Sequence, residues 1–372
     1  MVEIREVKTK KEQKEFVDFP LKLYKGNPYF VPPLYGDEMK LFGSKNIYCD
    51  QAESVFYNAY KDGKMVGRIH GILQKAANQK WNQKQVRFTR FDSVDDREVS
   101  DALFNKLAAW AKERGMDELV GPLGFSDLDR EGLLIEGFDQ LSTFEEQYNY
   151  DYYQKLIEDY GFEKDVDWVE RKLSAPEKID ERIPKIADMM MKKYKLHKGY
   201  AKNTNDFIKK YADSFFEILD ETYTDLYQTV PFTPAMKKMM IDNFKLIVDV
   251  KYVAVILDEN DKVVCFGLCF PSIAKAVQKS GGKLTPAAII RLLKALKKPE
   301  VIDLALIGVL PEYARKGISS TLIWGVMEML TNGTVKYAET NLNLEDNIAI
   351  QNQWKIFDNV LHKRRRAFKK KI

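Results

Sequence analysis

Cysteine and histidine are scarce in this chain. Three of each among 372 residues leave no basis for a disulfide framework, a cysteine-rich metal site or a local histidine-based triad. His70, His197 and His362 stand far apart, and Cys265 and Cys269 lie in the apolar run VVCFGLCF, where alternation predicts two core thiols on one face of a strand. Long hydrophobic runs are also missing. No stretch reaches the ~18 apolar residues of a membrane-spanning helix, and the opening MVEIREVKTKKEQKEF is charged throughout rather than basic and then apolar. A cytoplasmic location is expected.

The composition that remains, 45% hydrophobic and 31% charged, is that of a globular protein, and its length exceeds what one hydrophobic core usually fills. The formal net charge of +4 resides in one stretch: HKRRRAFKKKI, residues 362–372, carries seven Lys and Arg and no acid. It reads as a charged edge strand, with Ala367 and Phe368 at its apolar positions, or as a surface for nucleic acid or anionic lipid. Nucleic-acid binding has that charge in its favour but no aromatic platform or motif.

Periodicity divides the chain into two halves with one plan. SVFYNAYKDGKMVGRIHGIL is a hairpin turning at Asp62-Gly63. It is followed by a strand in QVRFTRFDSV, a helix capped by Asp95 or Asp96 and ended by Gly115, a strand in MDELVGPLGF, a helix closed by Gly161, and a strand in KDVDWVERKL. The second half gives a hairpin at Asp258–Asp261, a strand in VIDLALIGVL, a helix in ISSTLIWGVMEMLTNG ending at Gly333, a strand in VKYAETNL and a helix in NIAIQNQWKIFDNV. Two or three helices precede that hairpin, between about Ile179 and Val248. LSAPEKIDERIP interrupts both periods, which divides the chain into domains 1–175 and 176–372. Hairpins impose antiparallel pairing and helical crossovers parallel pairing, so the class is α/β (α+β), with mixed, mostly antiparallel twisted sheets flanked by helices.

In VLPEYARKGISSTLI, residues 309–323, a strand leaves at Val309, Pro311 bars further ladder pairing and a helix starts near Ser319. Amides converging at a helix start favour an anion, and Arg315 and Lys316 add charge. The plainer reading is a strand-to-helix turn. The segment resembles the motif of the GNAT superfamily of N-acetyltransferases that holds the pyrophosphate of acetyl-CoA. Gly317 matches its central glycine, while Ala314 and Ser319 depart from its Gln/Arg and Gly/Ala positions. LEDNIAIQNQWKIFDNV resembles that family's later helix, with Asn347 where an Asn lies near CoA and Trp354 where many members carry a Tyr general acid. An indole cannot serve as that acid, which leaves water, Tyr313 or Tyr337. NPYFVPPL, DGKMVGRI, FDSVDDREVSDAL, GPLGFSDLDREGLLIEGFD and YNYDYYQKLIEDYGF are similar to segments of bacterial tandem GNAT-like proteins.

The resemblance implies two tandem GNAT-like domains, with acetyl-CoA or another acyl-CoA held in the second by Val309, Arg315, Lys316, Gly317, Ile318, Ser319, Ser320 and Asn347. In the first, Asp92, Asp95 and Asp96 stand where a pyrophosphate would lie and would repel it. The acceptor is then an amine, small-molecule or peptide, whose proton a carboxylate takes. Glu339 and Asp303, on the strands flanking the crevice, are the candidates, Glu339 first; the alternative is a pair of strand-end charges. GPLGFSDLDREGLLIEGFD is read either as a loop that recognises a cationic amine or as a surface loop of tight turns. A catalytically inactive scaffold that binds CoA or a partner is the rival to turnover. LTPAAIIRLLKALKKP is an amphipathic basic helix with Thr285 as cap, suited to cover the cofactor, to lie on a membrane surface or to show a solvated face.

Overall fold

The computed structural model describes residues 1–43, 46–332 and 335–372. The first half contributes strands β1 (Val2–Glu6), β2 (Ala52–Lys61), β3 (Lys64–Gln74), β4 (Gln85–Ser93), β5 (Glu118–Gly121), β6 (Leu133–Glu136) and β7 (Glu163–Ser174). The second contributes β8 (His197–Lys198), β9 (Val253–Leu257), β10 (Val263–Pro271), β11 (Val301–Val309), β12 (Tyr337–Thr340), β13 (Asn343–Leu344) and β14 (Asp358–Lys371). They form one sheet in the order β1-β2-β3-β4-β5-β14-β7-β12-β11-β10-β9-β8, with β6 on β14 and β13 on β7.

Both hairpins form where the turn residues place them, as β2–β3 and β9–β10. The two parallel pairings, β4 with β5 and β11 with β12, each follow a helical crossover. Helix Arg97–Lys112 is capped by Asp96, which accepts from the Glu98 amide at 2.9 Å, and buries Val99, Leu103, Phe104 and Leu107 against the sheet. Its counterpart, Ser319–Thr331, buries Leu322, Ile323 and Met327. Gly333, expected to end that helix, lies outside the described residues. Three helices, Arg182–Lys193, Thr204–Thr222 and Pro234–Ile247, fill the stretch between the halves.

The basic C-terminal stretch is not an edge strand. β14 lies in the middle of the sheet, bonded to β5 and β6 on one side and to β7 on the other. β7 supplies the acids that make this possible: Asp167 pairs with Arg366 at 2.7 Å, Asp165 with Lys369 at 2.8 Å, and Glu170 with buried Lys363 and Arg365. Each half is thereby closed by a strand of the other, since β5 takes β14 and β12 takes β7.

Another expectation needs correction. Helix Ile348–Gln353 gives way to a 3-10 turn at Trp354 and to β14 from Asp358, so the helix expected through Val360 is short. Cys265 and Cys269 are both buried, in separate core clusters, and the register shift between Leu268 and Cys269 places its extra residue, Ala305, on β11.

Candidate active site

β11 and β12 run together only from Val301↔Tyr337 to Leu304↔Thr340, with one further bond from the Asn341 amide to the Leu304 carbonyl at 3.1 Å. Beyond Leu304 the strands part. β13 turns away to pair with β7, leaving Ala305–Val309 without a partner on that side. The gap opens into a cleft of about 1440 Å3 that runs between the halves, larger than the 300–1,000 Å3 or so of ordinary small-molecule sites. Its walls include Leu304–Ile307, Leu322, Ile323, Met329, Leu292 and Leu296.

At the end of β11 a short turn, Pro311–Ala314, leads to Gly317 with φ +71°, a left-handed conformation natural to glycine. The Lys316 amide bonds Tyr313 O at 3.0 Å and the Ser320 amide bonds Gly317 O at 3.1 Å, whereas the amides of Gly317, Ile318 and Ser319 have no partner among the described residues. No side chain caps the helix that begins there. A Cβ on Gly317 would meet only Met190, at 3.8 Å. Three free amides at a positive helix end fit a phosphate; Arg315 is exposed beside them, and the Lys316 ammonium lies 4.4 Å from the Tyr313 ring centroid. Val309 precedes this turn. The described cleft wall begins at Leu322, just inside the helix, and does not include residues 315–320.

The opposite wall comes from the first half. Asp127, Asp129, Arg130, Glu131, Glu145 and Glu146 line it, with Glu38 and Arg90 bonded to each other through two 2.9 Å contacts. The Asp-rich loop is therefore inside the molecule. Gly124 has no side chain because Asp129 packs there: a Cβ would stand 2.1 Å from that of Asp129, whose carboxylate accepts from the Phe125 amide at 2.7 Å. Burial pushes the Asp127 carboxyl up to about 6, Glu145 to about 7 and Glu146 to about 8. Burial, then Asp127, holds the Glu131 carboxyl well above the usual carboxylate range. Glu131 is 4% exposed and its Oε1 has no hydrogen-bond partner.

Glu339 and Asp303 face one another in register on β12 and β11 but are not on the cleft wall. Burial disfavours charge on Glu339, yet Lys363 and His362 outweigh it and hold its pKa below the usual carboxylate range. It accepts a short bond from Lys363 and lies 3.3 Å from His362 Nε2. Asp303, raised by burial and then by Glu145 and Glu339, has both oxygens unpartnered.

Asn347 lines the cleft and caps helix Ile348–Gln353, accepting from the Ile350 amide at 3.2 Å. Trp354 is buried on the wall and donates to Asn343 Oδ1 at 2.9 Å. Tyr313 and Tyr337 do not reach the cleft; Tyr223 does, its hydroxyl donating to Ile307 O at 3.1 Å on the parted strand. In the first half, two of the three carboxylates expected to repel a pyrophosphate have protein partners: Asp92 accepts from Arg68 at 2.7 Å and Tyr24 at 2.9 Å, and Asp96 from Lys61 at 2.6 Å. Sequence reasoning missed Glu145, Glu146 and Arg90. Two adjacent acids in the aromatic setting LSTFEEQYNY were the available signal for the first two.

No family model matches the chain. A protein named YghO from Escherichia coli K12 is 28% identical over 382 residues, covering 99% of this chain and 95% of its own. A bacterial ceramide synthase of Caulobacter vibrioides is 28% identical over 297 residues, 78% of this chain and 75% of its own. Among solved structures, a tandem GNAT protein from the clavulanic acid biosynthesis pathway superposes with a TM-score of 0.58 at 10% identity, over 100% of this chain and 98% of its own. A glucosamine N-acetyltransferase region of a fungal multi-domain β-N-acetylglucosaminidase also gives 0.58, at 12% identity, over 100% of this chain and 38% of the other. The parted parallel strands, the glycine turn and the duplicated plan agree with these superpositions: the chain has the GNAT fold, in its tandem form.

Proposed function

We propose that the chain moves an acyl group from an acyl-CoA thioester to an amine, with the nucleotide end at the Gly317 turn of the second half. The parting of β11 and β12 beside three unpartnered amides carries this reading. The thioester supplies an activated carbonyl; the protein binds, orients and moves a proton. Gly317, Ile318 and Ser319 donate main-chain N–H groups to a phosphate, Arg315 and Lys316 add charge, and Ser320 and Asn347 brace the adjoining backbone. The acyl chain lies along Leu304–Ile307. A cleft of this volume and lining favours a long chain, and the similarity to a protein named ceramide synthase supports a lipid-like amine.

The amine enters against the first-half acids Asp127, Glu131, Glu145 and Glu146. Glu145 is the base. It lies on the cleft wall, is only partly buried and has no cation within ion-pair distance among the described residues. Its pKa of about 7 suits proton abstraction near neutral pH. Burial raises its pKa most; Arg130 opposes the rise and Glu339 adds to it. Water protonates the departing thiolate, since Trp354 cannot.

CoA is expected to raise the melting temperature by several degrees, on the order of 2.7 kcal/mol at a hundredfold excess over Kd. Gly317→Asp is expected to abolish the rise by placing a carboxylate among the amides. No rise in the unaltered protein removes the cofactor reading. A non-catalytic CoA-binding scaffold is the second reading, favoured by Trp354; binding without thiol release across long-chain acyl-CoAs and a broad amine panel selects it.

A further inference from the structure

Helix Pro286–Lys297 has two unlike faces. Thr285 caps it, its hydroxyl accepting from the Ala288 amide at 3.3 Å, and Ala288, Leu292 and Leu296 turn inward toward Ile273, Ala274 and Val277. Ile289, Ile290 and Leu293 turn outward, with Ile290 67% and Leu293 60% exposed. Leu284, before the helix, and Leu246, on helix Pro234–Ile247, are exposed as well. Leu246, Leu284, Ile289 and Leu293 also line the cleft, so its apolar wall continues onto the outer surface.

The charge around this patch has one sign. Between Pro271 and Lys298 the sequence holds Lys275, Lys279, Lys283, Arg291, Lys294, Lys297 and Lys298 and no acid. None of the seven makes an ion pair among the described residues, and the six lysines are exposed. Two exposed acids on the cleft wall are already engaged, Asp37 with Lys40 at 2.8 Å and Asp242 with Lys238 at 2.6 Å. The C-terminal basic stretch makes the contrast, because its cations are mostly paired inside the sheet.

We propose that this face, Leu284 to Lys298 with Leu246 beside it, docks the protein on an anionic lipid bilayer, with the cleft mouth against the membrane. The outward Ile and Leu side chains enter the headgroup–acyl boundary while the lysines meet lipid phosphates, as amphipathic basic helices do at interfaces. A bilayer answers both halves of the surface at once. A second copy docked through the same face would bring seven cations against seven, which disfavours self-association. Continuity of patch and cleft gives an apolar molecule a path from the bilayer to the interior without crossing water. The inference rests on the surface and does not depend on turnover.

The test is sedimentation of the full chain with phosphatidylcholine vesicles, with and without phosphatidylglycerol. Binding to the phosphatidylglycerol vesicles is expected, weakened by salt and weakened by roughly tenfold or more in the double variant Ile290→Glu, Leu293→Glu, at unchanged melting temperature. Replacing Lys294, Lys297 and Lys298 with Gln is expected to remove the preference for anionic lipid. That variant keeps the test open should the double variant misfold. The proposal is overturned if the unaltered protein stays in the supernatant with anionic vesicles, or if both variants bind as well as it does. A dimer in size-exclusion chromatography that Ile290→Glu dissociates also overturns it, because the face is then a protein interface.

Discussion

Lys363→Met is expected to destabilise the folded chain by about 3–5 kcal/mol in urea denaturation, the range for stripping one partner from a buried ion network. Lys363 is fully buried and bridges Glu170 at 2.8 Å and Glu339, on the two strands that flank the junction of the halves. Losing the ammonium leaves both carboxylates facing a low-dielectric interior with only Arg365 and His362 nearby. Adding Glu339→Gln to Lys363→Met, which leaves the Glu170–Arg365 pair intact, is expected to recover part of the loss. Failure of that rescue would show that packing of the lysine stem dominates.

The same network gives a pH dependence of definite sign. Burial opposes charge on Glu170, but Arg365 and Lys363 overcome it and hold its pKa at about 2. Its contribution is therefore complete above the unfolded carboxylate pKa and drains away as pH falls through about 4 toward 2. Asp127, Glu145 and Glu146 are raised to about 6, 7 and 8. Their contribution is complete below about pH 4 and is lost as pH climbs through those values. Urea midpoints are expected to peak between these two flanks, in mildly acidic buffer, and a midpoint still rising from pH 6 to pH 8 would contradict the buried placement of the cleft acids.

Glu145→Gln is expected to lower kcat by about 10²–10⁴, the usual yield of a positioned base, with CoA binding retained. If Glu145 is the base, the rate of the unaltered protein is expected to rise with pH through about 7 as Glu145 loses its proton, and in the variant that rise is expected to disappear. At pH 8 the variant is expected to melt no lower than the parent, because it removes a charge from among Asp303, Glu339 and Glu146. A loss of rate matched by a lower melting temperature would assign Glu145 a structural part instead.

Much of the fold was legible because it is local. Asp62-Gly63 and Asp258–Asp261 turn hairpins, Asp96 and Thr285 cap helices, and the two halves repeat one order of elements. The Gly317 turn was readable for the same reason. The place of β14 was not, since it depends on acids at Asp165, Asp167 and Glu170 that pair with bases roughly 200 residues later, and only the register of β7 against β14 aligns them. Glu145 was hidden likewise: nothing in FEEQ states that this short segment of the first half faces the parted strands of the second.

The exchange of closing strands has a consequence for biosynthesis. Gly121 waits for Phe368, roughly 250 residues downstream, which at about 5–20 residues per second is some ten to fifty seconds of translation. During that interval the nascent first half carries an unsatisfied β-edge beside apolar Val120 and Leu119, a template for promiscuous pairing. A chaperone that shields that edge on the ribosome would be serving the assembly step that makes the two halves one molecule.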